Sequence, residues 1–441
     1  MIDTVGRSNG RIVLATVGSL GDLHPFLAVA QQLQQRGFHP VVATHAEYRD
    51  KVEAWGLTFY PVRPSMDDLT RSLGLSRVEL TRRAIDNPLF IYRALVFPYL
   101  RESHEDLERL IGEDDTVVTS TLAFAARFVA EQRPLPWLAI VLQPMLFLSA
   151  FDPPLLDGTL RIGTLLQRVG PRAARVVINA MSWLSRPLFR PIDRFRASIG
   201  LPRSTDNPAF RGQFGAAGAI GLYSTAIGRV QPDFPPSTAI VGFAWFDSED
   251  GRQPQLSRAV REFLDNGAAP IVMTLGSVVS DIGDTLFIAA INAARESGLR
   301  IVVLAGSEGA LRLAPLASPD VFIGSYEPHS LLFGRATVVI HHGGIGTLAQ
   351  ALRSGRPQLI VPVLADQADN AARAEKLGVA RIVRRRRFDA ATAVTEIKRL
   401  ITDNRFAAAA KCIATRISIE NGADAAADII ARQVRQSRTL T

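Results

Sequence analysis

Short apolar runs rich in β-branched residues recur along this chain, separated by stretches whose apolar positions return every three to four residues. The first pattern predicts buried strands and the second amphipathic helices. In order, strands are predicted at Arg11–Val17, Pro40–Thr44, Leu57–Pro61, Thr116–Ser120, Trp137–Leu142 and Ala219–Leu222, with helices at Pro25–Gln35 and Glu47–Trp55. Two long helical insertions, Ser76–Ile111 and Leu160–Ile199, interrupt this half. The proline cluster Gln231-Pro-Asp-Phe-Pro-Pro-Ser resists helix and strand alike and reads as a linker. The alternation then restarts, with strands at Ile271–Leu275, Arg300–Leu304, Val321–Ile323, Val338–Ile340, Gln358–Val361 and Arg381–Val383. Strands separated by helices imply parallel β-α-β units with right-handed crossovers. The expected architecture is α/β, with two doubly wound domains: residues 1–235, residues 236–415, and a C-terminal helix over 416–441 packing back on the first domain.

Length and composition agree with that division. A chain of 441 residues is too long for one ordinary core. Its 47% hydrophobic and 21% charged residues are those of a globular protein. The single cysteine, Cys412, rules out an intrachain disulfide or a thiolate metal cluster. The apolar run Ile12–Val17 is too short for a signal peptide, and no uninterrupted apolar stretch reaches the ~20 residues of a membrane span. A soluble, cytoplasmic protein is expected, with peripheral contact at the inner membrane face left open. The net charge of +8, mostly from arginine, admits an anionic substrate, an anionic membrane or nucleic acid. Zinc-finger spacing and aromatic-basic RNA-binding signatures are missing, so nucleic acid is the weakest of the three.

The strongest chemical signal is Thr337-Val-Val-Ile-His-His-Gly-Gly-Ile-Gly-Thr-Leu-Ala-Gln, an apolar strand running through a glycine-rich turn into a helix beginning near Ile345. Glycines let backbone approach a ligand, and the free amides and positive end of a helix attract an anion. His342 is placed to donate to a phosphate oxygen, and Thr347 adds a hydroxyl. Alone, the turn reads equally well as a capped strand-to-helix connection. Two further segments change the balance. Val361-Pro-Val-Leu-Ala-Asp-Gln follows another strand and should emerge at the same carboxyl edge, where open α/β sheets bind ligands. Asp366 and Gln367 suit sugar hydroxyls, and Asp366 equally suits a helix N-cap. Upstream, Thr274-Leu-Gly-Ser places Ser277 in a turn after the first strand of the second half.

Together these segments resemble the nucleotide-sugar-binding half of the GT-B glycosyltransferases of the UDP-glycosyltransferase superfamily, family 1. Within it the likeness is to rhamnolipid-type bacterial rhamnosyltransferases and, more loosely, to sterol and antibiotic glycosyltransferases. It runs over nearly the whole chain, including Phe246-Asp and Arg261-Glu-Phe-Leu-Asp before the Gly276-Ser277 turn. The resemblance implies two Rossmann-like domains facing across a cleft. It also implies transfer of a hexose from a nucleotide diphosphate sugar (UDP-glucose or dTDP-rhamnose type) to a hydroxyl of an apolar acceptor. It assigns the diphosphate to His342, Gly344, Gly346 and Thr347, with Ser277 a further phosphate or sugar ligand. The donor sugar falls to Asp366 and Gln367. Gln350 stands where many members carry a ribose-binding glutamate, which leaves uridine and deoxythymidine both open. Tyr326 falls where an aromatic ring stacks on the base, with His329 lining that pocket; loop packing is the plainer reading of both.

In the first half, Thr16-Val-Gly-Ser-Leu-Gly-Asp-Leu-His-Pro turns from strand to helix, with Gly18 and Gly21 shaping the turn and Pro25 suited to the first helical turn. It lacks the dinucleotide glycine order and the Walker lysine. The resemblance places this loop, Gly21 included, across the cleft from the donor. Inverting transfer needs a base for the acceptor hydroxyl. Asp22 is the first candidate and His24 the second, while helix capping is the alternative for Asp22. In family members that use histidine, an aspartate from a later loop orients it. The equivalent loop here offers Ser120 and Thr121 but no acid, which favours a lone aspartate. No Asp-x-Asp occurs, so no metal or other cofactor is expected.

The apolar stretches Leu89–Tyr99 and Leu142–Phe151 line an acceptor pocket or belong to the core. The arginines of Leu160–Ile199 suit a membrane surface or a solvated face. Two other functions fit a GT-B chain: epimerisation of the nucleotide sugar and a non-catalytic helper role. Oligomeric state is not readable.

Overall fold

The computed structural model describes residues 10–87, 89–155, 162–215, 217–247, 253–276, 283–364 and 366–439. Ser277 lies outside them. Strands β1 (Arg11–Ala15), β2 (His39–Thr44), β3 (Thr58–Pro61), β4 (Thr116–Thr119), β5 (Trp137–Val141), β6 (Ala219–Gly221) and β7 (Ala239–Ile240) form one sheet, ordered 3-2-1-4-5-6-7. Strands β8 (Ile271–Thr274), β9 (Ile301–Leu304), β10 (Val321–Gly324), β11 (Val338–His341), β12 (Gln358–Ile360) and β13 (Ala380–Ile382) form a second, in the doubly wound order 10-9-8-11-12-13. Every pairing is parallel. Buried on both faces, the strands carry Ile, Val and Leu without alternation, as at Ile12–Leu14 and Val338–Ile340, all fully buried.

Strand order reverses between β1 and β4 in the first sheet and between β8 and β11 in the second. Loops diverge at such a switch point and open a crevice beyond the strands' carboxyl ends. The loop after β1 holds Gly18–Asp22; the loop after β11 holds His342–Gly344. The fold thus places both glycine motifs at crevices.

Two local expectations need correction. The proline-rich stretch 231–237 does not separate the domains. It leads into β7, which pairs with β6 in the first sheet, so that sheet extends past residue 235. A two-residue strand carries too little pattern to be seen in sequence. The helix expected from Pro25 begins instead at Leu20, because Ser19 and Asp22 form a reciprocal capping box. Pro25 lies inside the helix, where its missing N–H leaves the Gly21 carbonyl without its helical partner.

The terminal helix Gly422–Thr439 returns to the first domain. Its Ala426, Ala427 and Ile430 share a buried cluster with Phe26, Leu27 and Leu33, and Arg36 pairs with Asp424 and Asp428. Another apolar cluster runs across the seam, joining Val141, Phe147 and Tyr223 to Leu348, Leu352 and Ala371. No helix among the described residues is long and apolar enough to cross a membrane.

A polar clamp closes the same seam. Arg373 pairs with Asp369 at 2.6 Å and with Asp152 at 2.7 Å, and donates to the Ile227 carbonyl at 2.8 Å. Asp369 also accepts from the Leu155 amide at 2.8 Å. Removing one member of a buried ion pair leaves the other charge uncompensated. Arg373→Met is therefore expected to destabilise the protein by roughly 3–5 kcal/mol. A lowered midpoint of chemical unfolding, partly recovered when Asp369→Asn is added, is the measurement.

Candidate active site

The first wall of the crevice is built by the capping box. The Asp22 Oδ2 accepts from the Ser19 amide at 2.8 Å and from the Ser19 hydroxyl at 3.1 Å. Gly18, at φ +140°, leaves space for this carboxylate; a Cβ there would collide with it. Asp22 therefore does cap the helix, through one oxygen. Among the described residues, Oδ1 has no hydrogen-bond partner. Burial raises the carboxyl above its usual range, and the Ser19 bonds only partly offset this. From the loop after β4, the Ser120 hydroxyl accepts from the Val17 amide at 3.3 Å, which fixes the turn rather than orienting a base.

His24 follows Asp22 two residues later on the same helix, its ring 4.8 Å from Phe246. Its Nε2 is buried without a hydrogen-bond partner. Burial, then the charges of Lys51 and His329, lower its pKa to about 3. The ring is neutral, and a poor proton acceptor.

The second wall begins at β11. His341 is fully buried: its Nδ1 accepts from the Gly343 amide at 3.1 Å, so Nε2 carries the proton and donates to Gln358 Oε1 at 3.0 Å. It builds the turn and has no nitrogen left for a ligand. The His342 ring lies between Gly276 and Gly344, where a Cβ at Gly276 would come within 2.7 Å of it and one at Gly344 would overlap it. Its Nδ1 is buried without a hydrogen-bond partner, and burial, with the charges of His341 and His329, holds its pKa to about 3. The helix Ile345–Arg353 starts at once, Gly344 being its N-cap. Gly346 is exposed beside open space, and Thr347 is half-buried. Gln350 is buried, and its Oε1 has no hydrogen-bond partner. Such orphaned buried polar atoms ask for a ligand.

Asp366 stands at the N-cap position of the helix Gln367–Lys376 but makes no capping bond. Instead it accepts from Asn370 Nδ2 at 2.6 Å, and the same nitrogen donates to the Gly343 carbonyl at 3.0 Å. Asn370, which the sequence did not single out, thus ties the Asp366–Gln367 loop to the glycine turn after β11. The Gln367 Oε1 accepts from the amides of Val363 and Leu364 at 2.8 and 3.0 Å. That oxygen holds the loop, and any contact with a sugar falls to Nε2. Tyr326 and His329 are neighbours, with ring centroids 5.7 Å apart. Both are anchored by Asp247, which accepts from the Tyr326 hydroxyl at 3.0 Å and the His329 amide at 3.3 Å. Asp247 and Phe246, carried by the crossing between domains, were visible in sequence only as part of a resemblance.

The two walls face each other. Burial raises Asp366 to about 7, and the charge of Asp22 contributes. The charge of His329 is felt by His24 on one wall and by His342 on the other. Among the described residues no group of three or more His, Cys, Asp or Glu side chains could hold a metal ion.

Comparison with known proteins gives this arrangement a lineage. Residues 12–151 match the glycosyltransferase family 28 N-terminal domain, and residues 301–433 the erythromycin biosynthesis protein CIII-like C-terminal domain. Both matches, one in each half, are to glycosyltransferase-type domains, and the chain is a glycosyltransferase of GT-B fold. It is 28% identical to the O-mycaminosyltylonolide 6-deoxyallosyltransferase of Streptomyces fradiae, over 95% of this chain and 96% of that one. It is 22% identical to a sterol 3-beta-glucosyltransferase of Pichia angusta over 98% of its own length, but spans only 34% of that relative. Among solved structures, the glycosyltransferase of kitacinnamycin superposes with a TM-score of 0.69 at 19% identity, covering 96% of this chain and 99% of that one. The glycosyltransferase VinC, solved with DTDP, superposes at 0.66 and 18% identity, covering 97% and 100%.

The raised carboxyl of this glycosyltransferase has a consequence for stability. The folded value for Asp366, about 7, lies above the ordinary 3.8, so as pH rises the unfolded chain releases the proton first. Stability contributed by the protonated form is present below about pH 4 and is lost as pH climbs to about 7. Asp366→Asn keeps the acceptor for Asn370 but removes the charge. Without ligand, it is expected to raise Tm more at pH 8 than at pH 5. An equal rise at both values would mean that the carboxylate is not buried as described.

Proposed function

We propose that this chain is an inverting, metal-independent hexosyltransferase. It moves a sugar from a nucleotide diphosphate donor to a hydroxyl of an apolar small-molecule or lipid acceptor. The observation that carries this reading is the meeting of the two switch-point loops: Ile345, which opens the helix after Gly344, packs on the first-domain cluster that holds Leu23, the neighbour of Asp22 in sequence.

In this reading the diphosphate rests against the amides opening the helix at Gly344, with His342, Gly346 and Thr347 around it. Asp366 and the Gln367 Nε2 hold the sugar hydroxyls, and Gln350 answers the ribose. Asp22 takes the acceptor proton as its oxygen forms the new bond to the anomeric carbon. The bond to the diphosphate breaks on the opposite face, and the leaving charge passes to the neutral His342 N–H and the helix amides. Fixed dipoles then do what a metal does elsewhere.

An apolar acceptor is supported by the side chains that line a small recess beside this loop, too small as it stands to enclose such a molecule. Thr16 and Val17 border it, with Leu95, Val96 and Leu100 from the insertion and Leu122 after β4. Residues Ile91–Val96 form a π-helical turn, a wide geometry that often marks functional sites. The relatives' own names carry O-mycaminosyltylonolide and sterol as acceptors.

The test is a mass-spectrometric screen of UDP-glucose and dTDP-rhamnose against lipid and polycyclic alcohols, with and without a chelator. Glycoside formation that survives chelation is expected. Conversion of the donor without acceptor would point to an epimerase, and donor binding without turnover across the panel to a helper protein.

A further inference from the structure

Beyond Leu155, whose amide is held by Asp369 at the domain seam, the chain forms the helices Ile162–Val169 and Pro171–Ser185. One face of the second covers a small cluster of Ala150, Leu166 and Ala174, with Val177 and Ile178 packed against it. The opposite face of a surface helix should then be polar. Here it carries Val176 and Trp183, which are 69% and 76% exposed; Leu184 on the flank is 67% exposed, and Leu165 of the first helix is 57% exposed. A helix apolar on both faces is not built for water alone.

Charge tells what would cover it. Between residues 165 and 192 there is no Asp, Glu or Lys, and every charged side chain is arginine. Arg186 is spent on Asp193 and two carbonyls. Arg168 and Arg172 at one end, and Arg190 and Arg194 at the other, are exposed and make no ion pair among the described residues. Arginines alone would be a solvated face. Arginines bracketing an exposed Trp-Leu pair match the interfacial pattern, in which an indole sits at headgroup depth and cations meet anionic lipid. A second copy of the chain would bring like charges together.

We propose that this helical pair docks the protein on an anionic phospholipid surface. The seam at Leu155–Asp369, three residues from Asp366, then holds the cleft near the bilayer.

The test uses the full chain and sedimentation with vesicles, without donor or acceptor. Mixed phosphatidylglycerol–phosphatidylcholine vesicles are expected to carry the protein down and pure phosphatidylcholine vesicles not, with retention falling as salt rises. The double variant Trp183→Glu/Leu184→Glu should weaken binding about tenfold or more, and Arg168→Glu/Arg172→Glu comparably. Glycosyl transfer to a water-soluble alcohol should be unchanged in both, so a failure here is separable from a failure of the transferase reading. Undiminished binding in the Trp183/Leu184 variant, or equal binding to neutral vesicles, would overturn the proposal. So would a wild-type dimer, dissociated by the same substitutions, that ignores vesicles.

Discussion

Replacing Asp22 by Asn is expected to lower the rate of transfer by about 10²–10⁴-fold, the span associated with losing a positioned general base. The substitution separates two roles that the same carboxylate holds. Asp22 caps its helix through Oδ2, accepting from the Ser19 amide and hydroxyl. An asparagine oxygen still accepts those bonds, so the helix start should survive with a change below about 1 kcal/mol. It does not accept a proton at neutral pH. A structural role alone would therefore leave turnover near that of the wild type, and a basic role would not. The pH profile adds a second reading. Burial raises the Asp22 carboxyl, so the acidic limb of kcat/KM should lie above the ordinary carboxylate range and vanish in the variant. His24→Gln is the counter-test. With its pKa at about 3, His24 is too weak a base to take over, and its loss should cost far less than that of Asp22. The reverse order of effects would move the base to His24.

How much of this was legible in the sequence follows from what kind of signal each feature sends. Parallel strands buried on both faces must be apolar throughout, so twelve of the thirteen stood out as β-branched runs. The exception, Ala239–Ile240, is two residues long and follows prolines. The candidate site residues stand out in sequence as types in an order: a histidine, glycines, then Asp-Gln after the next strand. Their partners do not. Asn370 reaches Gly343 across 27 positions, and Asp247 reaches Tyr326 across 79. Such bonds have no period and leave no local trace. For the same reason the sequence could not divide Gln367 between loop and ligand, or show that Asp366 leaves the cap unmade and accepts from Asn370 instead.

The second large effect is expected at His342. The sequence offers two adjacent histidines, and the structure separates their work. His341 has both nitrogens occupied, by Gly343 and Gln358, so losing it would disturb the turn. His342 has a buried Nδ1 with no hydrogen-bond partner, so losing it removes no internal hydrogen bond from that atom. With a pKa of about 3 the ring is neutral at any working pH and acts as a fixed dipole rather than a cation. Losing one preorganised donor to a developing charge costs about 10²–10³ in kcat, or about 2.7–4 kcal/mol. His342→Ala should show that loss in kcat, with donor affinity changed much less. The deficit should not vary between pH 6 and pH 9, since the ring does not titrate there. Gly344→Ala approaches the same point from outside: its methyl would displace the ring without removing it, and should reproduce much of the loss. A rise in KM for the donor with kcat intact would instead mean that His342 binds ground state and transition state alike. The leaving charge would then rest on the helix amides alone.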